Sequence, residues 1–201
     1  MISMSRRVAV ALGAVCAALA LAGTVARCHP SPGAPQNAAA AHAVEVLTGG
    51  DPASLAALPP DFAAVMGYQP VLATDADGSR HVINPQGECS ASILSSHLQE
   101  FDRACKTHDL GEDLLRYAAL EHGELGGWAR RAIDDRFADD LTALCDGRGA
   151  VCHAKARVAE AGVRLNSWRQ GEGVAADEDG RPYAAAGVLF LGAVVGPRRR
   201  A

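Results

Sequence analysis

Four cysteines set at the edges of helix-like runs constrain this chain more than any other feature. Cys89 lies in a turn-rich loop, and Cys105 lies inside the helical run that follows it. Cys145 ends a second helical run and Cys152 opens a third. Four cysteines allow three pairings, and this layout favours the local one, Cys89–Cys105 with Cys145–Cys152. The first bridge would clamp a loop against a helix, and the second would close a tight turn between helices. The competing reading is a zinc site drawn from Cys89, Cys105, His108, Cys145, Cys152 or His153. It lacks the usual short Cys-x2-4-Cys knuckles. Six cysteines in 201 residues are many for a cytosolic chain and make sense as disulfides in an exported one. Cys28 has no evident partner.

The N-terminus agrees with export. Arg6 and Arg7 precede an apolar run from Val8 to about Ala22 with small residues behind it, the layout of a secretory signal or signal anchor over 1–26. Cleavage could follow Ala22 or Ala26. From 27 to 42 a Pro/Ala-rich stretch, with Pro30, Pro32 and Pro35, reads as a disordered linker. At the other end, 171–182 is polar. The tail 183–201 is apolar as far as Gly196 and then carries Arg198-Arg199-Arg200, a pattern resembling a stop-transfer segment. Its apolar part is short of the roughly 20 residues a span needs. Either end is thus a candidate membrane anchor. The net charge of -4 gives no reason to expect a nucleic-acid surface.

Periodicity predicts a mostly α chain. A short helix is expected from Ala39 to Leu47, stopping at Gly49-Gly50, and another capped by Asp51 with Pro52 at its first position. Val71-Leu72-Ala73 and His81-Val82-Ile83 flank an Asp-Gly turn and predict a small hairpin. Residues 43–86 thus form a small helical and hairpin extension. The helical pattern then runs from Leu98 to about His122, from Trp128 to Cys145 and from His153 to about Trp168. The expected core is two antiparallel disulfide-linked helices with a third packed on them, over 87–170. Gly111 inside the first costs about 1 kcal/mol against Ala, which signals close approach of another group.

Chemistry concentrates at His108-Asp109. Helical neighbours point about 100° apart, so the two side chains serve different partners. An isolated pair of this kind is ordinarily a surface feature; the surroundings change that. Asp134 sits beside Ile133 and one turn from Phe137, at the border of the second helix's buried face. From there it could point across at His108, orienting the imidazole and stabilising its protonated form. Asp109, rotated away, could hold a hard cation together with carbonyl oxygens of the Cys89 loop. Some of Asp135, Asp139 and Asp140 simply face solvent.

Cys89…Cys105-x-x-His108-Asp109-x-Gly111, then Ile133-Asp134-x-x-Phe137-x-x-Asp140, then Cys145 and Cys152, resembles the bacterial-type secreted phospholipase A2 family. The resemblance covers about Gly87 to Trp168. It implies Ca2+-dependent hydrolysis of the sn-2 acyl ester of glycerophospholipids at a membrane surface by a monomeric, extracytoplasmic enzyme. His108 would be the base acting on a water, Asp134 its orienting partner and Asp109 the calcium ligand. No acyl-enzyme would form, and no Gly-x-Ser-x-Gly elbow is present.

Two positions depart from the family. Glu112 stands where a tyrosine is frequent. Gly87 stands where the calcium loop supplies an aspartate, and the acid here is Glu88, so Gly87 and Glu88 are the loop's candidate contributors to the metal site. These departures define the alternative, a catalytically weakened phospholipase-like module that binds lipid or a protein partner. A third reading is a small disulfide-stapled helical domain whose His-Asp pair is incidental.

Overall fold

The structure, a computed structural model, describes residues 34–50, 54–75, 78–89 and 99–175. They fall within one compact unit, Arg27–Ala176. The signal segment, Cys28, the Asp51-Pro52 cap, Leu98 and the C-terminal tail lie outside the described residues. The chain is mostly helical, with one two-stranded sheet among the described residues. None of the described helices is long and apolar enough to cross a membrane.

Helix α1 is Ala38–Thr48, its first turn capped by the Asn37 side chain, which accepts from the Ala40 amide at 3.0 Å. Its buried residues Ala40, Ala43, Val44 and Leu47 recur at the spacing of one helical face. The linker expected over 27–42 is therefore cut short. The helix begins at Ala38 because its alanines have a buried face to fill, and Ala40 is fully enclosed. Two short helices follow, α2 (Ser54–Ala57) and α3 (Phe62–Met66), the latter ended by Gly67 at φ 77°. Strands β1 (Val71–Thr74) and β2 (Arg80–Ile83) pair antiparallel, Val71 opposite Ile83. Gly78 at φ 88° turns the chain between them.

A 3-10 turn, Gln99–Phe101, leads into α4 (Asp102–Leu120), which packs on α5 (Gly127–Leu144), and α5 packs on α6 (Ala150–Arg169). Contacts descend along α4 as they ascend along α5: Glu112 meets Arg130, Gly111 meets Ile133, and His108 meets Asp134 and Phe137. That is the register of an antiparallel pair. Gly111 is required at the crossing, because a Cβ there would lie 2.7 Å from Ile133 Cγ2. Helix α6 begins at Ala150, three residues before the expected His153, so Cys152 lies in its first turn.

The bridges are Cys89–Cys105 and Cys145–Cys152. They tie α4 to its preceding loop and α5 to α6. No disulfide joins α4 to α5, which hold together by packing, correcting the expectation of two active-site helices linked covalently. With these four cysteines bridged, a zinc site using their thiolates is ruled out. Residues 43–86 are no appendage either. Val44, Leu47, Phe62 and Val82 share one core with Leu110, Leu114 and Ile133 of α4 and α5. A second core joins Phe101, Phe137 and Leu141 to both disulfides.

Candidate functional site

Helix α4 presents His108 and Asp109 to two different neighbours. His108 Nε2 lies 3.0 Å from Asp134 Oδ1 on α5. The two side chains are only 7% and 4% exposed, and the imidazole packs against the Phe137 ring at 4.9 Å. Burial by itself raises the Asp134 carboxyl. Hydrogen bonds from His108 and Ser167, with the positive charges of His108 and Arg130, outweigh it and hold the carboxyl below its usual range. Asp134 is then a carboxylate, which can only accept. Nε2 must donate, leaving the lone pair of a neutral imidazole on Nδ1. The acid nearest Nδ1 is Glu112, with Oε1 at 4.0 Å, beyond hydrogen-bond range.

Asp109 faces the Cys89 loop. Its Oδ2 accepts the Glu88 amide at 2.8 Å. Gly87 lies so close that a Cβ there would sit 2.7 Å from the same oxygen. The loop is shaped by a turn, Gly87 N–H to Asn84 C=O at 3.1 Å, and anchored to α4 by Asn84 N–H to Lys106 C=O, also 3.1 Å. The Cys89–Cys105 bridge closes its far end. Burial pushes the Asp109 carboxyl up to about 6, against the lowering influence of His108 and the Glu88 amide. The negative charges of Glu112 and Asp113 add to the rise. A carboxylate in this position is short of positive partners.

The structure sets His108 against Asp134 and Asp109 against Gly87. Glu88 takes part differently: its amide binds Asp109 while its side chain is exposed. The carboxylate that gathers with His108 and Asp109 is instead Glu112. One ligand atom from each of the three lies within 4.8 Å of the others, close enough to hold a metal ion. Glu112 is already engaged, however. Arg130 Nη2 is 2.6 Å from its Oε1, in a close contact off the hydrogen-bonding direction, and Arg116 Nη2 is 3.5 Å from its Oε2. With two guanidinium groups on Glu112, the carboxylate in the cluster that has no Arg or Lys partner among the described residues is Asp109.

Arg130 is a buried neighbour of this cluster that the sequence does not single out. It is 1% exposed, lies 3.8 Å from Asp134, and donates from Nε to Ser167 Oγ of α6 at 2.8 Å. Its only sequence signal is the i, i+4 spacing to Asp134 on α5, which Arg131 and Arg136 of the same helix share with Asp135 and Asp140. A second missed network fixes the loop side. Asp113 accepts from Tyr68 at 2.7 Å, Asn84 at 2.9 Å and Arg116 at 2.6 Å. A cavity of about 10 Å³, room for one water, is lined by His108, Thr107, Leu47, Phe137, Arg136 and Asp140 among others. Thr107 Oγ1 and Asp140 Oδ2 on its wall are buried without a hydrogen-bond partner among the described residues.

A scan against protein-family models, a search of curated proteins and a search of solved structures each give no match.

Proposed function

We propose that the chain is a Ca2+-dependent phospholipase A2 that hydrolyses the sn-2 acyl ester of glycerophospholipids, acting extracytoplasmically at a membrane surface. The observation that carries this reading is the placement of His108 between two carboxylates of different kind. Asp134 fixes Nε2 from one side, and Asp109 is held apart against the Gly87-Glu88 loop.

In this reading Nδ1 takes a proton from an attacking water, and Asp134 stabilises the imidazolium that forms. The imidazolium returns the proton to the leaving glycerol oxygen. Asp109 suits a hard cation: it is a half-buried, electrostatically strained carboxylate beside a cradle that a side chain at Gly87 would fill. Asp109 would hold Ca2+ with loop oxygens of Gly87 and Glu88, and the ion would supply electrophilic stabilisation of the developing oxyanion. Phe137 and Leu47 give the histidine an apolar surround beside a cavity with room for one water. The two disulfides fit an oxidising compartment, and export is the reading they support.

A second reading, a catalytically weakened module that binds lipid or protein, draws on Glu112. Its carboxylate occupies the Nδ1 side of His108 under the hold of Arg130, and the adjoining cavity admits one water but no acyl chain. The assay that separates the two uses phosphatidylcholine vesicles labelled in the sn-2 chain. The enzyme releases labelled fatty acid with Ca2+ and none with EDTA. Absence of release under both conditions favours the silent module.

A further inference from the structure

Helix α6 carries two apolar faces, and among the described residues only the inner one is packed. The inner face, with Cys152, Ala156 and Ser167, is buried against the rest of the fold. On the outer face Val151, Ala154, Val158, Ala161, Leu165 and Trp168 recur at alternating steps of three and four residues, and all six are exposed. The four large ones are 72%, 61%, 52% and 65% exposed for Val151, Val158, Leu165 and Trp168. At 1.5 Å per residue this stripe is about 26 Å long. Scattered exposed apolar side chains are ordinary, but a contiguous stripe ending in a tryptophan marks a contact surface.

The charges beside the stripe indicate what it contacts. On the helical wheel Arg157 and Arg164 border one side and Lys155 the other, whereas Glu160, the one acid of α6, lies well away from it. Arg157 makes no ion pair among the described residues. Arg164 lies beside Asp135 and Glu160, and Lys155 beside Glu100. A heptad-spaced stripe can also seat a second copy of itself, where charges flanking the seam set partner choice and orientation. Packed antiparallel, two copies of α6 would set Arg157 and Arg164 against one another. An anionic surface has the complementary charge.

We propose that the outer face of α6 lies in the interface of a lipid bilayer bearing anionic headgroups, with Trp168, Leu165, Val158 and Val151 entering the headgroup–acyl boundary and Arg157, Arg164 and Lys155 facing the headgroups. This is the arrangement of an interfacial amphipathic helix. It needs no catalysis and stands whether or not His108 turns over lipid.

The test is sedimentation of the full chain with vesicles in EDTA, so that neither turnover nor calcium bridging contributes. Vesicles of equal parts phosphatidylglycerol and phosphatidylcholine are compared with phosphatidylcholine alone. The double substitution Leu165→Ser and Trp168→Ser touches only exposed positions, and its circular dichroism and melting temperature should match wild type. It should weaken binding to the anionic vesicles roughly tenfold or more, as loss of two buried apolar side chains requires. Arg157→Glu with Arg164→Glu should weaken binding to the anionic vesicles several-fold and to phosphatidylcholine little. Tryptophan emission should shift to the blue on binding, and Trp168→Phe should abolish the shift. Equal binding by wild type and the serine double variant would overturn the proposal, because the chain termini would then suffice. So would a dimer of wild type that the serine substitutions dissolve, which would assign the face to a second copy.

Discussion

His108 Nε2 and Asp134 Oδ1 are 3.0 Å apart across two helices, 26 positions apart in the chain, and both side chains are almost fully enclosed. A carboxylate buried at this depth persists only if its neighbours offset the cost of desolvation. Here Ser167 and Arg130 do so together with the histidine itself. The pair thus fixes the imidazole in one tautomer and points one nitrogen away from the α5 helix.

Asp134→Asn keeps the shape of that contact but removes its charge. We expect kcat for fatty-acid release to fall roughly 10–100-fold, the usual cost of losing a partner that orients a functional histidine, with the Ca2+ requirement unchanged. The same variant reports on stability. Because the folded carboxyl is held below its usual range, its contribution is complete above the unfolded value of about 4 and is lost as pH falls below it. Melting curves of wild type and Asp134→Asn should therefore converge as the solution is acidified past pH 4 and separate above it.

Asp109 behaves in the opposite sense. Its folded carboxyl titrates at about 6, above the unfolded value of about 4, so the native state binds the extra proton and metal-free stability falls as pH rises between the two. In EDTA at neutral pH, Asp109→Asn should be more stable than wild type by of order 1–3 kcal/mol. Added Ca2+ should raise the melting temperature of wild type and leave the variant unmoved. A variant less stable than wild type in EDTA would show that Asp109 is not strained.

Arg130 is 1% exposed and sits against Glu112. Arg130→Met should cost about 3 kcal/mol, the low end for breaking a buried pair, since Arg116 still neighbours Glu112. Replacing both partners, Arg130→Met with Glu112→Leu, should restore most of that stability in denaturant melts. A single-variant loss below about 1 kcal/mol would show that Arg130 is not needed to compensate Glu112.

Gly111→Ala should destabilise despite the better helix former. The added methyl meets Ile133 Cγ2 at 2.7 Å, and overpacking of about 1–3 kcal/mol exceeds the helical gain of about 1 kcal/mol. In an Ile133→Ala background the same change should cost nothing measurable, a coupling that a double-mutant cycle reads directly.

Much of this was legible in the chain. The helical period around Phe101 to Ala118 and Ile133 to Leu144, the two hairpin strands and the local cysteine spacing each act over a few residues, and each appears where expected. Gly111 announced the α4–α5 crossing because only a close neighbour explains a glycine in mid-helix. What was not legible depends on the third dimension. Arg130 becomes a site residue only because α6 brings Ser167 over it, and α3 is five residues, too short for periodicity to declare. Glu88 has the charge of a ligand, but the turn at Asn84 delivers its amide, not its carboxylate, to Asp109. The outer stripe of α6 was hidden by its own regularity, since an apolar heptad reads as core until the packing shows which side is covered.

The most direct test of the central claim compares wild type with His108→Gln for sn-2 fatty-acid release from phosphatidylcholine vesicles at saturating Ca2+. Glutamine at this position can still donate to Asp134 but supplies no base. Wild type should release fatty acid and the variant should lose at least about 10² in rate, with Ca2+ binding retained in calorimetry. Equal rates for the two proteins would contradict the claim.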